Sequence, residues 1–183
     1  MTKVLALDIG FGAAGMAVLE HTQDGRWQTF ATACVHTKPE HKKRNIYVAH
    51  DDVRRAQEVT RSIAAIYSDN SCSGMVVELP SAGAQGAKAN RAMGIATGLI
   101  AAFAEVSRCP VEWVTPNESR KAAIGSVSAP KGENIKRLVM AAMEQKYPEI
   151  AQLKIVDKEH IADALATFEA ARGRQLMNLL ERI

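Results

Sequence analysis

The segment Val4–Glu20, VLALDIGFGAAGMAVLE, constrains the fold more than any other stretch of the chain. It is an almost unbroken run of apolar and small residues, broken only by one acid, Asp8, and by a glycine-rich turn. Lys3–Ile9 reads as a first strand and Gly15–Leu19 as a second, with Trp27–Val35 a third after the turn residues QDGR. An antiparallel three-stranded meander is expected, with Asp8 at the end of its first strand. A lone acid at a strand end commonly serves as a cap or turn residue, so its meaning rests on what else converges there.

Downstream the pattern changes from strands to alternating helices and strands. Val53, Ala56, Val59, Ile63 and Ile66 recur near a period of 3.6, which predicts a helix over Asp51–Tyr67 with an Asp cap. MVVEL, Met75–Leu79, is a short apolar run stopped by Pro80, and it reads as a buried strand with a second acid, Glu78, at its end. The small-residue stretch PSAGAQGAKAN leads into a helix over Arg91–Val106, and CPVEWVTP supplies a further strand. A strand, a helix and a strand in succession imply a parallel pair with a right-handed crossover. Helices are expected over Pro116–Ile124, Asn134–Tyr147 and Lys158–Leu180.

Residues 1–183 are expected to form a single domain, long enough to bury a core without covalent or metal staples. No stretch is apolar enough to suggest a membrane span, and the N-terminus lacks the hydrophobic region of a secretory signal, so a soluble, cytoplasmic protein is expected. Cys34, Cys72 and Cys109 are odd in number and widely spaced with no Cys-x-x-Cys pair, which indicates neither a disulfide framework nor a zinc site. The net charge of +3 permits contact with a polyanion without demanding it.

The last helix raises the significance of the two strand-end acids. In DKEHIADALATF, Asp157, His160 and Asp163 recur at three-residue spacing, and Ile161, Ala164, Leu165 and Phe168 form the core stripe. Asp163 therefore lies at the buried edge, where a charge needs a partner. Carboxylates gathered from Asp8, Glu78 and Asp163 suit hard divalent cations, Mg2+ with Mn2+ as a substitute. Two ions about 3.5–4 Å apart at such a site activate water and stabilise the leaving oxygen of a phosphodiester. His160 is placed to complete a ligand set or to handle a proton.

LALDIGFGAAGMAVLE, MVVELP and HIADALA together resemble, over almost the whole length, the RuvC-type Holliday junction resolvases of the ribonuclease H-like superfamily. The resemblance implies an α/β ribonuclease H-like fold with a mixed five-stranded sheet, three antiparallel strands and then two parallel ones, flanked by helices. It implies that Asp8, Glu78, His160 and Asp163 are the catalytic and metal-binding residues. It further implies a homodimer that cuts a four-way junction by paired symmetric nicks, and the short chain suggests a divergent member of the group, of the kind a phage carries. The family often places an aromatic wedge after the catalytic Glu, whereas LPSAGAQGAKANRAMG contains none.

Basic residues supply the expected DNA contacts. Lys42, Lys43 and Arg44 lie between a strand and a helix, Lys88 and Arg91 follow Glu78, and Arg120 or Lys121, together with Lys131, resemble family lysines near the scissile phosphate. A charge run is often only a solvated face, and clustering at the acidic site is what separates the two readings. The glycines of RAMGIATGLIAAFAEV permit close helix packing, in the core or at a dimer face. The same acids and metal also serve a nuclease for other branched DNA or for RNA, and a non-catalytic DNA-binding protein is the remaining alternative. DIGFG is also similar to the phosphate loop of actin-like ATPases, but 183 residues offer no second such domain.

Overall fold

A computed structural model of the chain describes residues 1–79 and 86–182, with Lys42 described without its side chain. Three antiparallel strands come first: β1 (Lys3–Ile9), β2 (Ala13–His21) and β3 (Trp27–His36). The helices α1 (His41–Arg44) and α2 (Val48–Asp69) follow, then β4 (Gly74–Glu78), α3 (Ala87–Ser107), β5 (Val111–Val114) and α4 (Pro116–Ile124). The chain ends with α5 (Ile135–Lys146), a 3-10 turn at Pro148–Gln152, α6 (Ile155–Ala171) and α7 (Gln175–Leu180). The sheet order is β3-β2-β1-β4-β5, with β1 antiparallel to β2 and β4 parallel to both β1 and β5. The mixed five-stranded sheet expected from the sequence is thus the sheet observed.

The period of two along each strand divides the core into two layers. Leu5, Leu7, Ile9, Met16, Val18, Met75 and Val77 face α2 and α3, where Val59, Ile63 and Ile100 meet them. Val4, Ala6, Ala17, Leu19 and Val76 face the other way, toward Ile161, Leu165 and Phe168 of α6. Parity assigns Asp8 to the α6 side of β1 and Glu78 to the α6 side of β4. The two strand-end acids therefore point at the same helix.

α6 reaches the sheet because one position on β2 has no side chain. Asp8 of β1 pairs with Gly15 of β2, which pairs in turn with Cys34 of β3, making one row across three strands. A Cβ on Gly15 would lie 2.2 Å from the backbone oxygen of His160. The helix backbone thus rests directly on the strand, with Asp8 on one flank and Cys34 on the other.

Two expectations need correction. The last helix does not run from Lys158 to Leu180: α6 ends at Ala171, and Gly173 takes φ +80° before α7 begins. Arg174 fixes the break, donating to the backbone oxygen of Trp113 at 2.8 Å and pairing with Glu112 at 3.2 Å and Glu118 at 2.6 Å. Met177 and Leu180 beyond it are buried in the same core as α6, so the apolar periodicity persists across the interruption. Asp51 is also not a helix cap, since the N-cap of α2 is Tyr47 with no side-chain bond. Asp51 lies inside the first turn, where it accepts from the backbone N–H of Glu40 at 2.9 Å and pairs with Arg54 at 2.7 Å.

Gly15→Ala should destabilise the protein by about 2 kcal/mol or more, because an overpacked backbone contact must open. Gly12→Ala, with nothing within 4 Å of the added carbon, should cost far less. Urea unfolding of both variants beside the wild type checks this.

Candidate active site

Asp8, Glu78, His160 and Asp163 are brought together on the α6 face of the sheet by β1, β4 and two adjacent turns of one helix. His160 Nδ1 lies 3.0 Å from Asp8 Oδ2. That hydrogen bond, with the charge of Asp8, Asp163 and Glu159 added to it, holds the imidazole more basic than usual against the opposing effect of burial. Burial, and then repulsion from Asp8 and Glu78, pushes the Asp163 carboxyl up to about 7. Glu78 is likewise raised to about 7, first by burial and then by Asp8, with Ser119, Arg120 and Thr167 acting in the other direction.

Mutual repulsion among three half-buried carboxylates is relieved by protonation or by a cation. The donors are carboxylate oxygens and one imidazole, a set suited to a hard divalent ion. Their oxygens are more loosely gathered than a single-ion cage. Among the described residues, the one trio of His, Cys or acidic side chains whose ligand atoms all lie within 4.8 Å of one another is a different one, Cys34, His36 and Asp157.

A cavity of about 90 Å³ opens beside Glu78 and Asp163, lined also by Arg120, Lys136 and Ser119. Lys136 was not singled out in the sequence, where it lies in the first turn of α5 as one of three basic residues, Lys131, Lys136 and Arg137, that spacing does not distinguish. In the fold it pairs with Glu159, and that bond raises its pKa, with Asp163 and Asp8 adding to the effect. Arg120 lines this cavity beside Glu78 and Asp163, whereas Lys121 and Lys131 are exposed and do not line it.

The remaining basic residues spread along neighbouring surfaces. Lys43 and Arg44 are exposed on α1, with Arg44 bonded to Glu40 at 2.8 Å. Lys88 and Arg91 are exposed in the first turns of α3, and Arg91 reaches Asp52 of α2 at 3.1 Å. The expected side-chain role of Lys42, and residues 80–85 of the loop after Glu78, lie outside the described residues.

A buried network sets the β1–β2 turn beside Asp8. The Arg55 guanidinium stacks on Phe11 at 4.1 Å, donates to the Phe11 backbone oxygen at 2.9 Å and donates to Thr37 Oγ1 at 3.0 Å. Thr37 in turn donates its hydroxyl proton to the same Phe11 oxygen at 2.6 Å. The turn is thereby tied to the end of β3 and to α2. On the other side, the Thr167 hydroxyl donates to the backbone oxygen of Asp163 at 2.9 Å and lies 3.5 Å from Glu78 Oε2.

The chain matches no protein-family profile and no curated protein sequence. Its fold does have solved counterparts. The structure of Thermus thermophilus RuvC in complex with a Holliday junction substrate aligns with a TM-score of 0.68 and 18% identity, over 93% of this chain and 92% of that one. The fold is that of the RuvC-type resolvases. The Holliday junction resolvase of fowlpox virus aligns over 91% of this chain and 94% of its own, with a TM-score of 0.56 and 12% identity. Among the described residues no helix is long and apolar enough to cross a membrane.

The raised carboxyls give stability a definite pH dependence. In the fold Glu78 and Asp163 hold their protons up to about 7, whereas the unfolded chain releases them near the ordinary value of about 4. The folded state binds more protons in that interval, so stability falls as pH rises from about 4 through about 7. Asp163→Asn should flatten this loss and stabilise the metal-free protein by about 2 kcal/mol at about pH 8. Denaturant unfolding across that range in the presence of a chelator checks it.

Proposed function

We propose that the chain is a divalent-metal-dependent, structure-selective endodeoxyribonuclease that resolves four-way DNA junctions. The observation that carries this reading is the convergence of Asp8, Glu78, His160 and Asp163 on one face of a RuvC-type sheet. The crowded carboxylates fit Mg2+, with Mn2+ as a substitute and two ions per site; such ions supply water activation and offset negative charge on the reacting phosphodiester. Asp8, Glu78 and Asp163 are the residues that hold them, with His160 as the fourth member of the set.

The chain's own side chains divide the remaining work. His160 keeps its Nδ1 proton directed at Asp8, which orients the ring and leaves the imidazole able to hold a proton beside the reacting phosphate. Arg120 and Lys136, on the cavity wall beside Glu78 and Asp163, neutralise the phosphate that enters it. Lys42, Lys43, Arg44, Lys88, Arg91, Lys121 and Lys131 grip the flanking backbone, a contact pattern that reads shape more than sequence. Hydrolysis adds water to the phosphorus and breaks one P–O bond, leaving ends that a ligase can rejoin. Two copies acting as a homodimer deliver paired symmetric nicks across the junction.

Asp8→Asn should lower cleavage of a four-way junction by roughly three orders of magnitude or more while junction binding is kept. End-labelled four-way junction, flap, linear duplex and RNA–DNA hybrid, each incubated with Mg2+, Mn2+ or chelator, separate the substrate classes. Paired cuts confined to the junction support the reading, and preferential cutting of flap or hybrid would overturn the substrate while keeping the chemistry.

A further inference from the structure

A second group of ligating side chains lies across Gly15 from Asp8. Cys34 and His36 are two residues apart on β3 and so share one face, the face against which α6 lies. Asp157, in the first turn of α6, faces them. Cys34 Sγ is 3.3 Å from His36 Nε2, and His36 Nε2 is 2.7 Å from Asp157 Oδ1. All three ligand atoms fall within 4.8 Å of one another. The absence of a Cys-x-x-Cys pair gave no hint of this, because the ligands come from a strand and a helix more than 100 residues apart.

We propose that Cys34, His36 and Asp157 form a binding site for Zn2+ or a similar borderline divalent ion, separate from the carboxylate site. The atom set is sulfur, imidazole nitrogen and carboxylate oxygen, the three donor types that zinc takes in proteins. Zinc–ligand bonds of about 2.0–2.3 Å place neighbouring tetrahedral ligands roughly 3.3–3.7 Å apart. The Cys34–His36 separation already meets that edge length, and the His36–Asp157 hydrogen bond opens by less than an ångström to meet it. Cys34 and Asp157 are half-buried and His36 is exposed, so an ion enters from solvent and keeps a water as its fourth ligand.

On binding, the Cys34 S–H bond breaks, a Zn–S bond forms and the proton passes to solvent. His36 binds through Nε2, with its remaining proton on Nδ1. Hard ions such as Mg2+ prefer all-oxygen sets and compete poorly for a thiolate. The ion cross-links β3 to the first turn of α6, and the His36 ring lies 6.0 Å from that of His160. Occupancy therefore fastens in place the helix that carries His160 and Asp163. The inference stands on these three side chains and not on the nuclease reading.

Cobalt substitution tests it on the full chain without any activity measurement. Titration with Co2+ in excess Mg2+ should produce the visible bands of a tetrahedral ion and a near-ultraviolet thiolate-to-cobalt band. Both should persist in Cys72→Ala, disappear in Cys34→Ala, and appear with roughly tenfold weaker affinity or worse in Asp157→Asn. In the same excess Mg2+, Zn2+ should raise the unfolding temperature of the wild type by clearly more than it raises that of Cys34→Ala, which keeps the carboxylate site. A wild type lacking the thiolate band, a thiolate band that survives in Cys34→Ala, or a thermal shift undiminished in that variant would overturn the proposal.

Discussion

The approach of α6 to the sheet at Gly15 is the contact on which the rest of the site depends. His160 is the residue whose backbone oxygen a Gly15 Cβ would strike, and it is also the residue whose imidazole bonds Asp8. A side chain on Gly15 would lift the helix, and with it both His160 and Asp163, away from the strand ends. Close packing of protein interiors leaves little room to absorb such a shift. One missing side chain therefore sets the distance between a strand that carries one acid and a helix that carries another.

The acids are held there at an electrostatic cost. Glu78 and Asp163 ionise reluctantly because burial and Asp8 act on both in the same direction. A fold selected for stability alone would replace such a group with apolar side chains. Around it, the Arg55 network beneath the β1–β2 turn and Arg174 at the α6–α7 break tie down the segments that frame the site. The strain lies at the carboxylates and the satisfied hydrogen bonds lie at their supports.

Much of this was legible in the sequence because it follows from short-range periods. Short apolar runs put Asp8 and Glu78 at strand ends, and three-residue spacing put His160 and Asp163 on adjacent helical turns. The features that were not legible come from long-range approach. The value of Gly15 is invisible without knowing that a helix lies over it, and Lys136 differs from Lys131 only in where α5 sits. The α6–α7 break was hidden because Met177 and Leu180 continue the apolar pattern past Gly173, while the decisive partner, Trp113 O, belongs to a distant strand. Asp51 misled for a related reason: a helix-start residue type was present, but its carboxylate bonds the backbone of Glu40 and His41 and the Arg54 side chain rather than capping the first N–H groups of its own helix.

The row Asp8–Gly15–Cys34 also explains why two chemically different groups of side chains can stand side by side. The glycine admits the α6 backbone between its neighbours, and the helix presents Asp163 and His160 to one side and Asp157 to the other. On the β1 side the available partners are carboxylates, which favour hard ions; on the β3 side they are a thiol and an imidazole, which favour softer ones. Separation of the two sets needs no wall between them, because the donor chemistry differs and the helix backbone occupies the space above Gly15. A single helix registered by a single glycine thus governs the geometry on both flanks, and any change that moves α6 must alter the two together.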